Sequence, residues 1–170
     1  MLPTVGGLMR VGQAAPEFTA AVEGEPITLA TYRGKWLVLF FISSDCPSDI
    51  ALFSERLEEF QNHDTDLLGA CTDTDATLWA HIAAITADVG GLGYRFFLDR
   101  SRSVARAYGL IDPSSEAVSS GLFIIDPESR LKYMSVADDG VGFSVDEVLR
   151  VLQTLQSGRF CLAYWTPGKR

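Results

Sequence analysis

The sequence predicts one α/β domain over residues 1–170, a mixed central sheet with helices on both faces, and three features carry that reading. Trp36 to Ile42 is an unbroken apolar stretch of β-branched, aromatic and leucine residues. That is the composition of a strand covered on both faces, not the alternation of a half-wet edge. Asp66 to Cys71, Ala76 to Ala87, Tyr94 to Leu98 and Ser101 to Tyr108 then read as strand, helix, strand and helix, a rhythm that places helices on both sides of a sheet. Leu122 to Ile125 and Leu131 to Val136 break the rhythm, because 126–130 is too short for a crossover helix and must close a hairpin.

The remaining elements follow in chain order. A loop-like opening leads to a short strand, Pro26 to Leu29, and a turn, Thr31 to Gly34. After the buried strand, Ser43 to Pro47 forms an exit loop. From Ser48, the apolar residues Ile50, Phe53, Leu57 and Phe60 recur every three or four positions with Glu55, Glu58 and Glu59 between them, which predicts an amphipathic helix. Pro47 suits its first turn, where a missing N–H costs nothing. A last helix runs from Ser144 to Leu155, with Ser144 as N-cap and Asp146 and Glu147 where the helix dipole favours them. The tail, 156–170, has no clear periodicity.

Composition narrows the function. With 47% hydrophobic and 21% charged residues, the chain has the balance of a folded globular protein rather than a disordered one. No apolar run approaches the ~20 residues needed to cross a bilayer, so no membrane association is expected. The opening, Met1 to Arg10, does not read as a secretion signal, and the cytoplasm is the expected compartment. A net charge of −8 would repel a phosphate backbone, which argues against a nucleic-acid partner. The two histidines, His63 and His81, belong to no ligand cluster, so no metal is expected.

Three cysteines, Cys46, Cys71 and Cys161, are too few for a secreted disulfide framework. Cys46 stands where a buried strand meets a helix N-terminus, and there the free N–H groups and the dipole favour thiolate over thiol. Asp45 and Asp49 work the other way, because a nearby carboxylate disfavours a second negative charge. Asp49 also occupies the position where a second cysteine would make a Cys-x-x-Cys pair, so any disulfide needs a distant partner. Cys71 ends an apolar strand and reads as a small buried hydrophobe. Cys161, outside the regular elements, is the better candidate.

These residues resemble the peroxiredoxins, specifically the typical two-cysteine group that includes alkyl hydroperoxide reductase. The likeness spans nearly the whole chain: Val11 to Phe18, Leu39 to Phe41, Cys46-Pro47-Ser48-Asp49, Gly90 to Gly93, Gly121 to Asp126, Ser144 to Glu147, and the tail around Cys161 and Trp165. The resemblance implies a thioredoxin-like fold and a thiol peroxidase with Cys46 peroxidatic and Cys161 of a partner subunit resolving, in the tail 156–170. It further implies a hydroperoxide substrate, reduction by thioredoxin or a dedicated disulfide reductase, a homodimer or ring of dimers, and no cofactor. Ser43 falls at the spacing of the family's threonine, whose hydroxyl serves the peroxide or the thiolate.

Three departures qualify the match. The loop before Cys46 is shorter than the family's and lacks its proline; Ser120 and Phe143 stand where the family has arginines. Arg100 and Arg102, after a sheet strand, are the candidate replacements. The second expectation is therefore a peroxidase-impaired relative acting in thiol-disulfide exchange, redox sensing or protein interaction.

Overall fold

The computed structural model describes residues 9–42, 47–72, 76–87, 90–138 and 141–158. A hairpin of β1 (Thr19–Val22) and β2 (Glu25–Thr28) opens the chain, and a 3-10 turn, Leu29–Tyr32, leads into β3 (Trp36–Phe41). Next come α1 (Pro47–Glu55), α2 (Leu57–Gln61), β4 (Thr65–Cys71), α3 (Ala76–Thr86), β5 (Arg95–Leu98) and α4 (Ser103–Ala107). The chain continues through β6 (Ser120–Ile125), β7 (Leu131–Ala137) and α5 (Val145–Ser157).

The main sheet has the order β5-β4-β3-β6-β7. β3 pairs in parallel with β4 and antiparallel with β6, so the predicted central strand is central and the sheet is mixed. Successive β3 side chains go to opposite faces, as strand geometry requires. Leu37, Leu39 and Phe41 join a cluster with Phe97, Tyr108 and Phe123, under the amino-terminal hairpin and α4. Val38, Phe40 and Ile42 join one with Ile50, Phe53, Phe60, Leu122 and Leu152, under α1, α2, α3 and α5. Both faces are thus buried, which is why β3 carries no polar alternation.

Two local features differ from the expectations. The helix predicted from Ser48 through Phe60 is two helices, because Arg56 (φ −104°, ψ 12°) leaves helical geometry. Its guanidinium is held by Glu59 and by Asp146 of α5, the latter at 2.8 Å. The apolar spacing runs through the break, so periodicity alone could not show it. The opening also contains β1, whose Thr-Ala-Ala-Val is a weak strand sequence. It is defined by the two-residue turn Glu23-Gly24, both at positive φ (52° and 83°), the geometry that tight hairpins favour.

Candidate functional site at the end of the central strand

Cys46, Ser43 and Cys161 lie outside the described residues, and so does the rest of the loop, but the ground on either side of Cys46 is well defined. β3 ends at Phe41; the Ile42 N–H donates to the Ala70 carbonyl of β4 (3.0 Å), and α1 begins at Pro47. In the sequence Cys46 directly precedes Pro47, so the chain that carries it leaves the carboxyl end of the buried central strand and enters α1. The backbone N–H groups of that first turn have no intrahelical partner and favour an anion beside them.

Four contacts fix α1 in place. The Tyr94 hydroxyl donates to the Ile50 carbonyl (2.8 Å), and the Ser54 hydroxyl donates to the Leu92 carbonyl (2.7 Å). Arg56 bridges to Asp146 in the first turn of α5. The fourth involves Asp49, three residues after Cys46 and only 5% exposed. Its Oδ2 accepts the Phe143 backbone N–H (3.1 Å), and a Cβ built on Gly142 would stand 3.0 Å from its Oδ1. Burial pushes the Asp49 carboxyl above its usual range, and the Phe143 N–H only partly offsets that. Burial likewise raises the Tyr94 phenol far above its ordinary value, with the charge of Asp49 adding to it.

Phe143 therefore serves Asp49 through its backbone, and the structure puts no arginine there. Ser120 is the first residue of β6 and 5% exposed. Because Phe41 pairs with Gly121, Ser120 flanks the chain as it leaves β3 toward Cys46, bringing a hydroxyl and no charge. Arg102 donates to the Glu116 carbonyl (3.1 Å), which commits it to the loop before β6. Arg100 follows β5, two strand spacings or about 10 Å from β3. Neither is brought to the end of β3 by the described contacts.

Cys71 is 1% exposed and packed in the α1 side of the core, as its sequence context predicts. His81 is exposed, whereas His63 is half-buried, with its carbonyl accepting the Gln156 side-chain N–H (2.6 Å). The role of Tyr94 was not legible from the sequence. A tyrosine opening a strand carries no sign that its hydroxyl will reach a helix 44 residues earlier.

The class defined by this arrangement is a thioredoxin-like fold with a cysteine entering a helix from the central strand. The AhpC/TSA family model matches residues 11–134. A peroxiredoxin of Caenorhabditis elegans is 39% identical, covering 93% of this chain and 86% of its own. The structure of AhpC from Mycobacterium bovis superposes with a TM-score of 0.77 at 30% identity, over 94% of this chain and 99% of that one. A yeast mitochondrial 1-Cys peroxiredoxin, studied for thiol resolution through glutathione and thioredoxin systems, gives a TM-score of 0.83 over 95% of this chain and 85% of its own; at 23% identity it shows the fold alone. The chain belongs to the AhpC/TSA family, an oxidoreductase family of peroxiredoxins.

Proposed function

We propose that the protein is a thiol peroxidase in which Cys46 is the peroxidatic residue. What supports the reading is the place of Cys46 in the sequence, directly before Pro47, together with the buried central strand that ends at Phe41 and the helix that begins at Pro47. The Cys46 thiolate attacks the distal oxygen of a hydroperoxide. The O–O bond breaks, cysteine sulfenic acid forms, and the departing alkoxide or hydroxide takes a proton to leave as alcohol or water. The thiol of Cys161 from a partner subunit then attacks the sulfenic sulfur, forming a disulfide and releasing water. A dithiol reductant, thioredoxin or a dedicated reductase, restores both thiols. Ser43 supplies a hydroxyl to the peroxide or the thiolate. This cycle calls for a homodimer at least, working in the cytoplasm as a single domain without a cofactor.

Intact-mass measurement after one equivalent of hydrogen peroxide tests the assignment. Wild type should lose two hydrogens per disulfide and join two subunits, while Cys161→Ser should stop with one added oxygen on Cys46. Oxidation that maps elsewhere, or the same product in both proteins, contradicts it.

A second reading has specific support. Ser120 and Phe143 provide no cation near the end of β3, and the carboxyl of Asp49 is buried beside it. Losing one charge-assisted donor from such a site costs roughly 10²- to 10³-fold in rate. The alternative is a slow peroxidase whose Cys46 acts in thiol-disulfide exchange, redox sensing or protein interaction. A Cys46 pKa near ~8.5, that of an ordinary thiol, would favour it.

A further inference from the structure

At the amino-terminal ends of β4 and β5, the opposite end of the sheet from the carboxyl end of β3, lies a cavity of about 370 Å³. Its size is within the range of small-molecule sites. Tyr32 comes into it from the 3-10 turn, Gln61 from the end of α2, Thr65 and Asp66 from the start of β4, and Arg95 from the start of β5.

The chemistry of this cavity is unbalanced in one direction. Tyr32 is 6% exposed, its ring is part of the core, and its hydroxyl is buried with no residue to accept its proton. Burial raises its pKa, so it stays a protonated donor, while the Arg95 guanidinium beside it pulls weakly the other way. Arg95 is exposed and forms no ion pair among the described residues, and its guanidinium lies against the Tyr32 hydroxyl, whose oxygen accepts from it. The carboxylate that lines the same cavity, Asp66, is paired with Lys35 at 3.7 Å. A phenol proton without an acceptor and a guanidinium without an anion therefore lie side by side. A buried donor is normally satisfied, and a guanidinium fork is shaped to hold two oxygens of one anion. Because Arg95 is exposed and holds no ion pair, its side chain can draw aside to admit a ligand.

We propose that this cavity is a binding site for a small oxyanion, a phosphate or a carboxylate, which accepts hydrogen bonds from the Tyr32 hydroxyl and the Arg95 guanidinium. The site is separate from Cys46 and does not rest on the peroxidase reading. Thermal unfolding of the full chain, in inorganic phosphate, acetate or chloride at matched ionic strength and pH, tests it. Ligand that binds only the folded state raises Tm, so phosphate or acetate should raise the wild-type Tm by several degrees over chloride at saturation. Which of the two does so assigns the class of oxyanion.

Tyr32→Phe keeps the ring in the core and removes only the hydroxyl, while Arg95→Gln alters an exposed side chain, so at least one folds. In either, the increment over chloride should fall by at least tenfold in apparent affinity. No increment in wild type with either anion overturns the proposal, as does an undiminished increment in both variants.

Discussion

At the scale of single residues, the contact with most bearing on the chemistry is the burial of Asp49 three residues after Cys46. Asp49→Ala would leave the Phe143 N–H without its acceptor, and should cost about 1–3 kcal/mol in a denaturant titration. Asp49→Asn keeps an acceptor oxygen and removes the buried charge. The folded pKa of Asp49 is raised, so its contribution to stability is fully present below the unfolded value of about 3.9 and is lost as pH rises through the folded one. Wild type and Asp49→Asn should therefore be equally stable in acid, with Asp49→Asn the more stable at neutral pH. A constant difference across the range would contradict this. Ser120 carries the complementary prediction. Restoring a cation there by Ser120→Arg should speed Cys46 oxidation by up to roughly 10²-fold in stopped-flow, and an unchanged rate would show that the missing charge is not what limits it.

At the scale of elements, legibility followed how local the cause of each structure was. β3 was readable because burial on both faces leaves an unbroken apolar run, and α5 because Ser144 and Glu147 signal its start. The Ser144 hydroxyl accepts the Glu147 N–H at 3.3 Å, so Ser144→Ala should cost about 1 kcal/mol. The break at Arg56 accompanies contacts to Glu59 and to an acidic residue of another helix 90 positions later, and the apolar spacing runs through it unmarked. The same holds for Gly69 in β4. A Cβ there would lie 2.5 Å from the ring of Phe96 and 3.0 Å from that of Phe40, so Gly69→Ala should destabilise by about 1–3 kcal/mol through overpacking. A glycine in a strand hints at close approach but cannot name the neighbour.

At the scale of the whole molecule, the sheet order puts the carboxyl ends of the three parallel strands β5, β4 and β3 at one end of the sheet, and the chain that leads to Cys46 leaves from β3, the central strand of the five. The order of the elements on either side of that loop was legible in the sequence, because a buried strand, a short loop and a proline-led helix occur in succession. The environment of Cys46 was legible only by its departures, since Ser120 and Phe143 announced missing charge but not that Asp49 would be buried against the Phe143 backbone. The oxyanion cavity opposite was not legible at all. Tyr32 and Arg95 are 63 positions apart, and only the packing of a 3-10 turn beside the start of β5 brings them together. The sheet thus has the loop proposed to carry the reactive thiol at one end and the proposed oxyanion site at the other. The central claim concerns the first, and peroxide consumption by fully reduced protein without added reductant tests it most directly. Wild type should consume one equivalent of hydrogen peroxide per active Cys46 while Cys46→Ser consumes none, and equal consumption by the two proteins would contradict the assignment.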